Sequence, residues 1–285
     1  MKIFHVLLFS RIGRGGKYIR GIEEGLIQII YLEGKKSGWI ALQPVGKDRL
    51  SIGLVLSNDY IKQERGKFSK AGKRDWAMEL YKQELANSDF INEVLEKAKI
   101  IQELAVVSNY SYYSTQKFGK NFALIGDAAA FIDPIFASGV YLALNGAKLI
   151  ANALDKKFKN NHDHNNSLEA AYDHINGAYE LLMKFIGIYY DPDSFNLAEI
   201  GPKDLEKYKK HEAAYSLIHY LLAGDFFNNY SRYLDFLDML SNPKQFARYQ
   251  NLVIDPSSHS TNSCQLSWEE IFGEMDKTTE LASVI

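Results

Sequence analysis

The chain has 285 residues, of which 46% are hydrophobic, so it can bury the core of one large domain or of two small ones. Its 33 basic and 35 acidic residues leave a formal net charge of -2, which argues against a nucleic-acid or other polyanionic partner. The single cysteine, Cys264, excludes a disulfide within the chain and a cysteine-rich metal site, and it predicts a reducing, cytoplasmic setting.

The first third of the chain is predicted to be rich in β-strands. Short apolar or alternating runs are separated by turns that contain glycine, lysine and aspartate, a pattern typical of an antiparallel meander. The predicted strands are residues 3–9, 26–32, 39–45 and 50–56, and the predicted turns are residues 13–16, 34–38 and 46–48. No apolar run in the chain reaches the roughly 20 residues that are needed to cross a membrane.

The middle of the chain combines helices with two further strands. Apolar residues at helical spacing predict one helix around Trp76, Leu80, Tyr81 and Leu85, and another around Phe90, Val94 and Leu95. Residues 100–107 and 122–125 are predicted strands, and the apolar character of the second predicts that it is buried.

A third helix is predicted for residues 138–154, with Ser138 as its N-cap. Its predicted apolar face consists of Val140, Leu144, Ala147, Ile150 and Ala151. The chain after residue 168 is predicted to be mostly helical, to residue 190 and again from about 204 to 240. Residues 160–166 and 255–263 are predicted to be loops. The first loop contains His162, Asp163 and His164, a triplet that resembles a metal site. No further metal ligand lies nearby in the sequence, so these residues are predicted to be solvated.

The segment from Gly126 to Val140 has the clearest chemical interpretation. Asp127 ends an apolar strand, where a carboxylate can accept hydrogen bonds from a sugar-like hydroxyl, and Gly126 lets a ligand approach the backbone. The predicted helix then begins at Ser138, and a helix N-terminus favours an anion or a ring that becomes negative on reduction. Asp127 could instead only cap a turn, but the whole segment favours a ligand site.

This segment resembles the second FAD motif of flavin-dependent halogenases and related aromatic hydroxylases, roughly G-D-A-A-x-F-x-D-P-x-x-x-S-G followed by a helix. The matching residues are Gly126, Asp127, Ala128, Ala129, Phe131, Asp133, Pro134, Ser138 and Gly139. The resemblance implies that Asp127 meets the ribityl chain of FAD. It also places Gly126, Pro134, Gly139 and Val140 in the cofactor site, and Ser138 and Gly139 near a halide. The cofactor would be reduced FAD, supplied by a separate flavin reductase.

Other parts of the chain resemble the same family less closely. Residues 38–44 and 50–55 are similar to the halogenase W-x-W-x-I-P strand and its hairpin partner, but Ala41 and Gln43 replace the second Trp and the Ile. Trp39 itself is predicted to be core. The G-x-G-x-x-G turn that cradles the FAD pyrophosphate is not found, because residues 13–18 fit a turn between strands. The family's catalytic lysine normally lies in that N-terminal part, so no catalytic residue is assigned, and no metal is expected.

The predicted fold is α+β. A mostly antiparallel substrate-domain sheet with a helical insertion occupies residues 1–118, the C-terminal part of an FAD-binding layer residues 119–156, and a helical region residues 157–285. An N-terminal Rossmann βαβ unit is expected to be absent. The stretch at residues 122–125 should then expose apolar surface, and poor solubility alone or association with another chain is expected.

The resemblance implies the C-terminal portion of a halogenase-like oxidoreductase, incomplete and inactive alone. Two alternatives stay open: a fragment of an FAD-dependent hydroxylase or isoprenoid-reductase-like enzyme, and a non-catalytic remnant or scaffold. The expected partners are an N-terminal flavin-binding polypeptide and a small-molecule or carrier-tethered aromatic substrate. Neither nucleic acid nor a membrane is expected.

Overall fold

The computed structural model describes residues 6–14, 26–32, 34–46, 49–159, 165–191, 194 and 218–241. These residues belong to two compact units, which divide between Ser111 and Tyr112. The predictions for residues 3–5, 15–18, 47–48, 160–164, 204–217 and 255–263, and for Cys264, lie outside the described residues. The boundaries at residues 118 and 156 stay predictions.

The described part of the first unit contains an antiparallel sheet. Its strands are β1 (Val6–Arg14), β2 (Gln28–Leu32), β3 (Gly38–Gly46), β4 (Arg49–Ser57), β5 (Lys99–Ile100) and β6 (Ala105–Ser108). The spatial order is β2-β3-β4-β1, and β5 and β6 both pair with the free edge of β1. The predicted meander is confirmed for β2, β3 and β4. The predicted turn at residues 13–16 is wrong at Gly13 and Arg14, because both continue β1 and pair with β4.

Three helices follow β4 and pack against one face of the sheet. They are α1 (Asn58–Lys70), α2 (Trp76–Ala86) and α3 (Asp89–Leu95), and the side chains of Ser57, Asp75 and Ser88 cap their N-termini. Alternate residues of β3 and β4 form the core with the helices, as the period of two requires: Ile40, Leu42, Leu50, Ile52, Leu54 and Leu56. Helices α2 and α3 confirm the prediction. Helix α1 was missed, because only Ile61 and Glu64 along it are buried.

A buried carboxylate, that of Glu84 in α2, connects three elements of the first unit. Its side chain is 0% exposed, and its Oε2 atom lies 2.6 Å from Nζ of Lys36, in the 3-10 turn before β3. Its Oε1 atom accepts a hydrogen bond from the hydroxyl of Tyr60 in α1 at 2.7 Å. Burial, and then the hydrogen bond and charge of Glu84, raise the pKa of Tyr60 far above its ordinary value, so this hydroxyl stays a donor.

The described part of the second unit contains long helices and two short strand pairs. The helices are α4 (Gly139–Lys159), α5 (Asn166–Tyr190) and α6 (Phe226–Leu240), with a π-helical turn (Leu221–Asp225) before α6. Strand β7 (Tyr112–Tyr113) pairs with β10 (Ala130–Phe131), and β8 (Phe118–Gly119) pairs with β9 (Phe122–Ala123). Helix α5 packs against both α4 and α6. The helices predicted for residues 138–154 and 168–190 are confirmed.

The predicted apolar face of α4 is mostly wrong. The buried residues of α4 are Leu142, Gly146, Ile150 and Ala153, of which only Ile150 was predicted, whereas Val140 and Leu144 are 73% and 67% exposed. The burial predicted for residues 122–125 is wrong at Phe122 and Ile125, which are 46% and 40% exposed, whereas the exposed apolar surface expected there is confirmed. Helix α4 therefore has a second apolar face, at Val140 and Leu144, that is largely exposed. None of the described helices combines the length and apolar composition needed to cross a membrane.

Candidate functional site

The segment from Gly126 to Val140 forms a series of short turns in the second unit. Gly126–Ala128 is a 3-10 turn, strand β10 follows, and Pro134–Phe136 is a second 3-10 turn before α4 begins at Gly139. Asp133 caps the second turn, because its Oδ1 atom accepts a hydrogen bond from the N–H group of Ile135 at 3.0 Å. Pro134 takes the first position of that turn, where a missing N–H group has no cost.

Gly126 brings the first turn against α4. Its φ angle of +56° lies in the left-handed region, and a Cβ atom on Gly126 would lie 3.0 Å from the Cβ atom of Ala143. Glycine is the residue that combines this backbone conformation with so close an approach. Asp127 and the start of α4, which the sequence predicted to share one site, therefore lie on two elements in contact.

We expect the substitution Gly126→Ala to lower the free energy of unfolding by about 2 kcal/mol, because left-handed strain and the contact with Ala143 add up. Chemical denaturation of the full chain measures this change. Gly139→Ala is the matched control, because nothing lies within 4 Å of a Cβ atom at Gly139, and a change below about 0.5 kcal/mol is expected. Equal losses in both variants would contradict this role of Gly126.

The backbone carbonyls around Asp127 are held by donors from the rest of the unit. The hydroxyl of Tyr112 donates to the carbonyl of Asp127. Ser114 donates from its hydroxyl to Ala128 O at 3.2 Å and from its N–H group to Ala129 O at 3.0 Å. Three successive carbonyls thus accept hydrogen bonds from strand β7 and the residue next to it, which holds the backbone that carries the Asp127 side chain.

The Asp127 side chain is exposed. Within the part of the chain that the structure describes, its carboxylate has no hydrogen-bond donor and no ion-pair partner. Its charge still reaches Tyr179 of α5, since burial and then the Asp127 carboxylate raise the pKa of Tyr179 to about 12. The oxygen atoms of Asp127 are therefore available to hydroxyl groups of a ligand.

The start of α4 is equally accessible. The carbonyl of Ser138 accepts the first hydrogen bond of the helix, from the N–H group of Leu142 at 3.0 Å, so Ser138 occupies the predicted N-cap position. Gly139 and Val140 are exposed, and their N–H groups belong to the first turn, which has no partners inside the helix. The helix dipole adds a partial positive charge there, so this end of α4 can bind an anion or an electron-rich ring edge.

Sequence reasoning missed a polar cluster beside this segment. Nζ of Lys117 donates to Oδ1 of Asn176 in α5 and lies 3.2 Å from the centre of the Tyr113 ring. The Tyr113 hydroxyl donates to the same Oδ1 atom at 2.5 Å. Burial lowers the pKa of Lys117 to about 8, against the opposing effect of Glu180. No local pattern connects Lys117 with Asn176, which lie 59 residues apart, so the sequence alone offered no signal for this contact.

Comparison with known proteins gives a consistent result. The sequence profile of the tryptophan halogenase family matches residues 33–195, which include the whole Gly126–Val140 segment. Flavin-dependent halogenase armH1 of Armillaria mellea is 27% identical over 180 residues, which cover 61% of this chain and 34% of that protein. Sulochrin halogenase gedL of Aspergillus terreus is 36% identical over 110 residues, which cover 39% of this chain and 19% of that protein.

Solved structures share the fold. Flavin-dependent brominase Bmp2 matches 82% of this chain and 56% of its own, with a TM-score of 0.61 and 19% identity. The myxobacterial chondrochloren halogenase CndH matches 88% of this chain and 56% of its own, with a TM-score of 0.56 and 22% identity. The chain thus spans about a third or less of the two curated relatives and about half of the two solved chains. The predicted combination of helices with antiparallel sheets is confirmed, and the profile match over more than half of the sequence shows that the chain belongs to the tryptophan halogenase family.

Proposed function

We propose that this chain supplies the C-terminal portion of a flavin-dependent halogenase, and that the Gly126–Val140 segment holds the ribityl chain and the ring of FAD. The observation that carries the proposal is the exposed Asp127 carboxylate, on a turn whose Gly126 lies directly against Ala143 of α4. The names of the relatives, which are flavin-dependent halogenases, support the same class of reaction.

The residues present fit the chemistry of the cofactor. Asp127 would accept hydrogen bonds from ribityl hydroxyls, because its oxygen atoms have no competing donor among the described residues. The N–H groups of Gly139 and Val140 would face the ring edge that gains negative charge on reduction. Gly126 and Pro134 would complete the cofactor site. No side chain at Gly139 obstructs this approach.

The halide would lie near the backbone of Ser138 and Gly139, because an anion is favoured at the positive end of a helix. When bound, the reduced flavin, delivered by a separate reductase, would supply the chemistry by which oxygen oxidises the halide. The residues of this chain then have two tasks: they bind the halide and they orient the flavin.

The sheet of the first unit is proposed to face the substrate, an aromatic or carrier-tethered molecule. The helices cover one face of this sheet, and the other face carries the half-buried Ala41 and Gly53 and the exposed Gln43. We propose that a flat aromatic group lies against these small and polar side chains. Trp39 lies on the same face of β3 as Ala41 and is 4% exposed, so its predicted burial is confirmed.

We also propose that a second polypeptide binds the ADP half of FAD and associates with this chain. Four large apolar side chains close to the Gly126 turn in sequence are 40–73% exposed: Phe122, Ile125, Val140 and Leu144. Exposed apolar groups of this size around a ligand site are typical of a protein interface. Without such a partner, we expect the purified chain to self-associate.

A flavin titration of the full chain tests the proposal. Quenching of FAD fluorescence is followed with the chain alone and with the N-terminal flavin-binding polypeptide from the same source. We expect binding only in the presence of that polypeptide, together with a product whose formation depends on chloride or bromide. A product that forms equally without halide would favour a hydroxylase or a reductase. The absence of flavin binding in both samples would contradict the proposal and would favour a non-catalytic scaffold.

A further inference from the structure

One face of α5 carries three tyrosines whose hydroxyls all donate to the segment around the candidate site. Tyr172 donates to Leu124 O at 2.9 Å and Tyr179 to Ala130 O at 3.3 Å. Tyr190 donates to Oδ2 of Asp133 at 2.9 Å. The three side chains are buried. Intervals of seven and eleven residues each come close to a whole number of helical turns, so the three hydroxyls form a row along α5.

The row and the segment run in the same order. Leu124, Ala130 and Asp133 meet successive tyrosines from the N-terminal to the C-terminal end of α5, over a helix length of about 27 Å. The segment therefore lies along the helix and is fixed at three separated points. Burial raises the pKa of both Tyr172 and Tyr179, so these hydroxyls remain protonated donors in neutral solution.

The contact between Tyr190 and Asp133 has the most direct connection with the start of α4. The Asp133 carboxylate is 5% exposed, and its two oxygen atoms have different tasks. One oxygen caps the Pro134–Phe136 turn through Ile135 N, and the other accepts from Tyr190. A rotation of this carboxylate would therefore disturb the turn that leads into the helix.

The residue after this turn is in a demanding conformation. Ala137 has a φ angle of +50°, in the left-handed region that a residue with a Cβ atom adopts only when its surroundings hold it there. Helix α4 begins two residues later. Phe136 stacks on Phe185 of α5, with ring centres 4.4 Å apart, so α5 holds the turn by packing as well as by the hydrogen bond.

We propose that Tyr190 is a positioning residue for the site: through Asp133 it maintains the left-handed Ala137 and so sets the direction of the first N–H groups of α4. Tyr172 and Tyr179 hold the backbone on both sides of Asp127 by donating directly to its carbonyl groups. One helix, α5, thereby fixes both parts of the candidate site relative to each other. The consequence for flavin binding rests on the proposed function, whereas the positioning itself does not.

Hydrogen exchange measured by mass spectrometry on the full chain tests the positioning. Tyr190→Phe keeps the ring and removes one hydroxyl, and we expect the amides of residues 135–141 to exchange about ten- to a hundredfold faster. Tyr172→Phe is the matched control, expected to speed exchange near Leu124 and to leave residues 135–141 unchanged. Asp133→Ala removes the acceptor instead of the donor. It should speed exchange of the same amides as Tyr190→Phe, and it provides the test if that variant does not fold.

Flavin binding by the same variants distinguishes the positioning role of Tyr190 from the proposed function. We expect Tyr190→Phe to weaken flavin binding about tenfold, and Asp133→Ala combined with Tyr190→Phe to cost no more than Asp133→Ala alone. Faster exchange at residues 135–141 in a chain that binds no flavin under any condition would support the positioning and reject the proposed function. Unchanged exchange in both Tyr190→Phe and Asp133→Ala, with normal flavin binding by the unsubstituted chain, would overturn the positioning.

Discussion

Replacing Asp127 by alanine is expected to weaken flavin binding about a hundredfold and to leave the thermal unfolding temperature unchanged. The carboxylate would lose charge-assisted hydrogen bonds to ribityl hydroxyls, which are among the stronger hydrogen bonds in proteins. The fold should not respond, because the side chain is exposed and has no hydrogen-bond or ion-pair partner among the described residues. Fluorescence titration with FAD, under the conditions in which the unsubstituted chain binds, measures the change.

Asp155→Ala is the control for the loss of one negative charge. Asp155 lies near the C-terminal end of α4, is exposed, and pairs with Lys159 at 2.8 Å. Such an exposed pair contributes little, so we expect unchanged flavin affinity. If Asp127→Ala binds FAD as tightly as Asp155→Ala does, the assignment of Asp127 to the ribityl chain is wrong.

The substitution Lys36→Met is expected to lower the free energy of unfolding of the first unit by about 3 kcal/mol. It leaves the Glu84 carboxylate, which is 0% exposed, without its cationic partner at 2.6 Å. Tyr60 still donates to Glu84, but a neutral hydroxyl compensates a buried charge less than an ammonium group does. Urea denaturation of the full chain, followed by tryptophan fluorescence, measures the loss.

Lys62→Met provides the matched comparison on the surface. The pair between Lys62 and Asp59 has an N–O distance of 3.5 Å, and its side chains are 77% and 96% exposed. Solvent screening leaves such a pair with little net energy, so a change below about 0.5 kcal/mol is expected. Similar losses of unfolding free energy in Lys36→Met and Lys62→Met would show that the burial of Glu84 does not determine how much its ion pair stabilises the fold.

The sequence predicted those features whose signal is local. Strands β3 and β4 follow from a period of two, and helix α2 follows from apolar residues at helical spacing. The assignment of the Gly126–Gly139 segment to a cofactor site follows from the spacing of its motif and stays a prediction. Helix α1 gave no apolar period, because its charged residues leave only Ile61 and Glu64 buried. Its N-cap, Ser57, was a signal that could have located it.

Features that depend on distant contacts could not be predicted in this way. The predicted apolar face of α4 included Val140 and Leu144, which are exposed, and left out Leu142, which is buried. Its prediction was correct at Ile150. Apolar residues occur all around this helix, so periodicity alone could not choose between the two faces. The hydroxyl row of α5 was equally hidden, because tyrosine at helical spacing looks like ordinary core until the facing carbonyls are known.

The exposed face of α4 has a thermodynamic consequence. Val140 belongs both to the first turn proposed to bind the flavin ring and to the apolar face proposed to bind the second polypeptide. We expect a ligand and a partner that both contact the same turn to influence each other, and linkage makes that influence reciprocal. The factor by which the partner tightens flavin binding should therefore equal the factor by which flavin tightens partner binding, so the extent of assembly would report the supply of cofactor.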